Sequence, residues 1–230
     1  MNLPEQQINT DFNQYELQAI MADSQLRPTW YELLYRPSPL VTDVESYFSN
    51  LSDSEKIAFD TALFKNIPSI QKRHMPHVLS ININPASLLD ECFLNLFSYL
   101  LDSKILTSKK LCIEIVESDT LPELPKRARQ CLKLFKSLGG LIALDDFGTG
   151  NTHWELIHSN LIDIIKIAAH KHKGDNRNKI LKALSGFSNS LQLKTVFEGI
   201  ETKQDLINAQ EMGATHFQGW YFNQWKLMFS

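Results

Sequence analysis

Residues 141–150 read Leu-Ile-Ala-Leu-Asp-Asp-Phe-Gly-Thr-Gly. Four apolar residues run into two adjacent carboxylates, Asp145 and Asp146, and a Gly-Thr-Gly turn follows. A short apolar run closed by turn residues is the pattern of a strand buried on both faces. The two acids then stand at its C-terminal end, where catalytic groups of a β/α barrel collect. Adjacent acids there suit a divalent metal, or one acid shared between two metals. The glycines let the loop bend and let a ligand approach the backbone. An Asp-Asp turn cap could leave the same decapeptide, so the flanking chain must decide.

Working outward, apolar runs at 78–83, 111–116, 163–167, 194–199 and 216–222 read as further strands. Helical patterns at 53–67, 87–101, 122–138, 177–190 and 202–212 lie among them, with a short helix at 153–158. The buried side of the first of these helices is expected to carry Ile57, Ala58, Thr61, Leu63 and Phe64. Strands alternating with helices imply parallel strands and right-handed crossovers. The runs at 15–21 and 29–36 stand too close for a crossover helix and are paired antiparallel. A loop with a short helix fills 37–52. Eight strands imply closure. The fold expected is α/β, a (β/α)8 barrel with its first strand antiparallel, occupying 13–230 as one domain after a flexible tail at 1–12.

The 230 residues suffice for one such domain, with 43% hydrophobic and 21% charged residues. A net charge of -3 argues against a DNA-binding surface. Cys92, Cys112 and Cys131 are odd in number and lie in apolar segments, which points to a reducing, cytoplasmic setting. No apolar run is long enough to span a membrane.

Each strand after the first ends in a polar residue: Glu32, Asn82, Glu114, Asp145 with Asp146, Lys166, Glu198 and Gln218. In a barrel these ends share one mouth. Five carboxylates so gathered repel one another, and Lys166 offsets only one. Oxygen ligands without His or thiolate suit Mg²⁺ or Mn²⁺ rather than Zn²⁺. Two such ions are a recurrent device for phosphate ester hydrolysis. The residues alone therefore read as a two-metal phosphodiesterase.

The sequence resembles the EAL domain, a cyclic di-GMP phosphodiesterase family, over nearly its whole length. Glu32-Leu33-Leu34 with Arg36 looks like the motif that names the family, and Asn82-Ile83-Asn84-Pro85 like its Asn-x-Ser-Pro. Glu114-Ile115-Val116-Glu117 is similar to its Glu-x-Thr-Glu, and Asp145-Asp146-Phe147-Gly148-Thr149-Gly150 matches its motif outright. Lys166-Ile167-Ala168 resembles Lys-Ile-Asp, Glu198-Gly199-Ile200-Glu201-Thr202 resembles Glu-Gly-Val-Glu-Thr, and Gln218-Gly219 precedes the usual aromatics. The resemblance implies that Glu32, Asn82, Glu114 and Asp145 hold one metal. It implies that Asp145, Asp146 and Glu198 serve a second metal and its water, with Lys166 orienting a water. Arg36 would meet the substrate, and Gln218 would line the water or nucleotide site. Glu117 and Glu201 would act from behind the ligands, Glu117 by fixing the loop after Asp146. It also implies cyclic di-GMP as substrate, linear pGpG as product, and a homodimer.

Departures from the family pattern are Asn84 for Ser, Asn151-Thr152-His153-Trp154 for Tyr-Ser-Ser-Leu, Ala168 for Asp, and Gln224-Trp225 where a proline is usual. Ala168 is expected to leave Lys166 loosely placed and turnover slow. His170-Lys171-His172-Lys173 could suggest a metal or anion patch, but reads first as a solvated loop after the sixth strand. Two other functions compete. One is a weak or inactive cyclic di-GMP receptor or protein-binding adaptor on the same barrel. The other is an unrelated metalloenzyme that abstracts protons with Lys166 as base.

Overall fold

The computed structural model describes residues 15–22, 28, 30–37, 41–117, 123–150 and 153–223. The expected tail at 1–12, most of the turn between the first two strands, and Asn151, Thr152, Gln224 and Trp225 lie outside them. Eight strands close into a barrel in sequence order: β1 (Tyr15–Ala22), β2 (Trp30–Tyr35), β3 (Val78–Ile83), β4 (Leu111–Val116), β5 (Leu141–Asp145), β6 (Ile164–Ala168), β7 (Lys194–Glu198) and β8 (His216–Gln218). β1 pairs antiparallel with both β2 and β8, and every other pairing is parallel. This is the expected closed α/β barrel with its reversed first strand.

Helices α1 (Val44–Ser49), α2 (Asp53–His74), α3 (Glu91–Asp102), α4 (Lys126–Ser137), α5 (Trp154–His158), α6 (Arg177–Ser190) and α7 (Lys203–Glu211) accompany the strands. Helix α3 shows why such segments fold: Phe93, Leu94, Phe97, Leu100 and Leu101 form one buried stripe at helical spacing. Asp90 caps it by accepting from the Phe93 amide at 2.7 Å. Phe64 and Phe97 meet edge to face between helices and barrel, 5.2 Å apart. Among the described residues no helix is long and apolar enough to cross a membrane.

Three expected elements differ. Helix α2 runs past Ile67 and through Pro68 to His74. An interior proline costs about 3 kcal/mol. Burial of Ile70 and Gln71 beyond it offsets that loss, and Gln71 also exchanges hydrogen bonds with the Thr107 backbone. The same helix buries Lys56, Phe59 and Asp60 rather than Ala58, because Phe59 packs on Tyr35 and Phe48 at 5.0 and 5.1 Å. The segment expected as one helix from 87 begins as a 3-10 turn over Pro85–Leu89, and α3 starts at Glu91. Strand β8 stops at Gln218, since Gly219 presses against β7's following loop; a Cβ there would lie 2.2 Å from the Ile200 carbonyl oxygen.

The barrel interior is layered. Ile20, Trp30, Cys112, Ala143, Ile164 and Val196 pack together as an apolar floor. Side chains two residues apart share a strand face. Two positions further toward the mouth, the same strands carry Gln18, Glu32, Glu114, Asp145, Lys166 and Glu198. Asn82 follows Ser80, and Gln218 follows His216, in the same way. On the outer strand face Ile81, Ile83, Ile113, Ile115, Leu144 and Ile167 are fully buried under the helices.

Candidate active site

The polar layer converges on Lys166. Its ammonium lies 2.9 Å from Glu32, 2.6 Å from Glu114, 3.0 Å from Asp145 and 2.8 Å from Glu198, and its side chain is fully buried. The Asn82 amide donates to Glu32 Oε1 at 2.8 Å. The Gln218 amide donates to Glu32 Oε2 at 2.6 Å and to Gln18 at 2.8 Å. Six of the expected site residues thus touch one another or the same ammonium. The expectation that Ala168 loosens Lys166 is corrected here: four carboxylates fix the ammonium without any acid at 168.

Burial drives the electrostatics. Burial pushes Glu114 well above the usual carboxylate range, and Glu32 and Asp145 add to the effect. Burial also raises Asp145, against the pull of Lys166, and raises Glu198 to about 8. Glu32 alone is lowered: burial opposes its charge, but Lys166, Gln218 and Asn82 together outweigh it. Burial opposes the Lys166 charge too, yet Asp145, Glu114, Glu198 and Glu32 hold that ammonium well above the ordinary lysine value.

Asp146 follows the layer on the β5 turn. Its backbone is left-handed, φ +55°, a conformation short polar side chains tolerate. The Phe147 amide donates to the Lys166 carbonyl at 2.9 Å, and Thr149 donates to the Asp146 carbonyl through both its amide and hydroxyl. The turn aims Asp146 toward the mouth, where Asp145, Asp146 and Glu198 each offer an oxygen, all within 4.8 Å of one another. Asn82 Oδ1 and Glu114 Oε1 are buried without a hydrogen-bond partner among the described residues. An all-oxygen, acid-rich donor set with orphaned buried oxygens fits a hard divalent cation.

Above the layer opens a cavity of about 600 Å³, within the ~300–1,000 Å³ of ligand sites. Glu32, Asn82, Asp145, Asp146, Glu198 and Gln218 line it, and Arg36, Glu201 and Trp220 stand in its wall. Arg36 pairs with Glu16 at 3.1 Å. Glu201 is exposed, and its amide donates to Asp205, the residue that caps α7 with Thr202. Glu117 is buried beside the β5 loop; a Cβ on Gly150 would stand 3.1 Å from its carbonyl oxygen.

Four residues of the site were not singled out from sequence. Gln18 enters because β1 runs backward, so its inward polar residue precedes the floor residue instead of following it. Asp60 and Lys56 come from α2. Asp60 accepts from the Asn84 backbone amide at 2.8 Å, from its side-chain amide at 3.0 Å and from the Ser87 hydroxyl at 2.6 Å. Lys171, expected in a solvated loop, instead binds Asp146 at 2.7 Å. The His170-Lys171-His172-Lys173 run, readable also as a metal or anion patch, was the sequence signal for it.

Comparison with known proteins agrees with the barrel fold. The chain is 29% identical over 153 residues to the cyclic di-GMP phosphodiesterase PdeA of Borreliella burgdorferi, covering 64% of this chain and 22% of that protein. It spans about a third or less of the curated relatives it matches. Among solved structures, a manganese and cyclic di-GMP complex of Klebsiella pneumoniae BlrP1 superposes with a TM-score of 0.70 at 25% identity, over 96% of this chain and 56% of that one. An EAL domain protein of Listeria monocytogenes superposes with a TM-score of 0.73 at 20% identity, over 94% and 92% of the two chains. A family model described as EAL domain matches residues 41–224, most of the chain, and the chain belongs to the EAL domain family.

Proposed function

We propose that this chain hydrolyses cyclic di-GMP to linear pGpG with Mg²⁺ or Mn²⁺, two ions in the full site. The observation that carries the proposal is the convergence of Glu32, Asn82, Asp145, Asp146 and Glu198 at the floor of one ligand-sized cavity, with Glu114 joined to them through Lys166 just beneath. Glu32, Asn82, Glu114 and Asp145 would hold one cation, and Asp145, Asp146 and Glu198 the other. Bound there, the cations would polarise the phosphodiester and make a coordinated water more acidic.

The chain's own residues do the rest. Lys166 binds four carboxylates at once, which fixes their rotamers before any ligand arrives. Glu198 lines the cavity and, in its ionised form, is placed to take a proton from the attacking water. Arg36, in the cavity wall, supplies positive charge for a phosphate. Gln218 holds Glu32 and bounds the water or nucleotide site from β8. Water adds to phosphorus and gives up a proton to Glu198, the ester bond to one ribose oxygen breaks, that oxygen takes up the proton, and the ring opens to the linear dinucleotide.

The test is incubation with cyclic di-GMP and Mn²⁺ or Mg²⁺, with and without EDTA, followed by chromatography. Linear product with metal and none in EDTA is expected. Undiminished turnover in EDTA would overturn the metal mechanism. Tight binding of intact nucleotide without product would favour the receptor reading.

A further inference from the structure

Lys171 lies on the loop after β6 and reaches back over the barrel mouth. Its ammonium is 2.7 Å from Asp146 Oδ2 and 3.2 Å from Glu45 Oε1, on α1. The loop is built to put it there. The Lys171 amide donates to the Ala168 carbonyl at 3.0 Å, and the Arg177 guanidinium donates to the carbonyls of Ala169 and His172. The Lys171 and Asp146 side chains are similarly shielded, at 30% and 29% exposure, whereas Glu45 is 82% exposed.

Asp146 is therefore the one member of the Asp145, Asp146 and Glu198 trio that already carries a cation of its own. The other two share Lys166, the ammonium at the centre of their own layer. An ammonium tethered through its own side chain is present at high effective concentration. It cannot leave by dilution, only by moving aside. Glu45 gives it a place to go, since it already touches the same nitrogen from the solvent side.

We propose that Lys171 is a tethered cation that competes with a divalent ion for Asp146, so that the site fills in two unequal steps. The first ion enters on Glu32, Asn82, Glu114 and Asp145, which Lys171 does not touch. The second must displace Lys171 from Asp146 onto Glu45. This inference rests on the metal reading of the site given above. It adds a cost to the second ion that the first does not meet, and makes Lys171 a positioning residue of the metal site.

The test counts bound Mn²⁺ by the electron paramagnetic resonance signal of the free ion, on metal-stripped full-length chain. Wild type, Lys171→Met, Lys171→Arg and Glu45→Gln are compared, with thermal unfolding in EDTA confirming that each is folded. Lys171→Met should tighten the second ion by about three- to tenfold and leave the first unchanged, the range expected for a half-exposed charge pair. Lys171→Arg should stay near wild type. Glu45→Gln should weaken the second ion, because the displaced lysine loses its alternative partner. Equal second-ion affinity in wild type and Lys171→Met would overturn the tethered-cation role while leaving the metal site standing. No Mn²⁺ bound by any of the four would overturn the metal site, and this inference with it.

Discussion

The Lys166 ammonium and the Glu114 carboxylate meet at 2.6 Å in the centre of the barrel, and neither side chain reaches solvent. Such a pair is costly to break from one side, because the partner is left charged in a medium that solvates it poorly. Here three further carboxylates depend on the same nitrogen.

Lys166→Met should accordingly destabilise the metal-free protein by about 3–5 kcal/mol. Divalent ions should restore more stability to the variant than to wild type, because they supply the missing charge. Thermal unfolding of both proteins in EDTA and in excess Mn²⁺ checks this; a variant as stable as wild type in EDTA would contradict the structural role of Lys166.

Asp146→Asn keeps the turn, since asparagine also tolerates the left-handed backbone of residue 146. It removes the charge that faces Lys171 and that would hold the proposed second ion. Turnover should drop by at least about two orders of magnitude, with cyclic di-GMP binding retained. Steady-state rates beside nucleotide binding measurements decide it. A near-normal rate would make Asp146 a turn residue only.

The site's main layer was legible because each ligand closes an apolar strand, where a polar residue has little structural use. Asp145-Asp146 carried the clearest signal. Gln18 was hidden by strand direction: on a reversed strand the polar position sits near the start, where it reads as ordinary alternation. Asp60 was hidden because an acid on a helix suggests a solvated face, and only the fold shows Asn84 and Ser87 turning toward it. Lys171 was hidden because loop geometry, not local pattern, brings it to Asp146.

Glu117 lies behind the β5 loop, buried against Gly150. Glu117→Ala should loosen that loop and weaken metal binding by roughly 10–100-fold without removing a ligand. Mn²⁺ titration of the variant is the check, and unchanged metal affinity would reject the role.

His216 stands at the floor end of β8, bonded to Thr215 at 2.9 Å and packed edge-on against Trp30. Burial, helped by Lys194, lowers its pKa to about 4. The folded state then binds fewer protons than the unfolded state between about pH 6.5 and 4. Its contribution to stability is complete above about pH 6.5 and is lost as the pH falls through about 4. Urea unfolding across that window should show a steeper acid loss for wild type than for His216→Gln. Parallel curves would show that His216 titrates normally.

Ala168 pairs in register with Glu198 on the neighbouring strand and is fully buried. Ala168→Asp would set a fifth acid beside the four on Lys166. Like charges directly opposite across strands repel. The variant should melt lower than wild type in EDTA and bind Mn²⁺ more tightly, which calorimetry and melting curves test together. A higher melting temperature in EDTA would mean that the new acid finds a free donor.

The two-residue step from floor to ligand also bears on how such a gene can change length. A single residue inserted between Cys112 and Glu114, or between Ala143 and Asp145, would rotate the acid to the helix-facing side of its strand. The codons across these intervals are therefore locked in number, whatever drift their identities allow. The loops at the opposite, floor end of the barrel carry no such lock. Lineages descending from one barrel can lengthen or shorten those loops freely while inheriting the same set of oxygen donors at the same height.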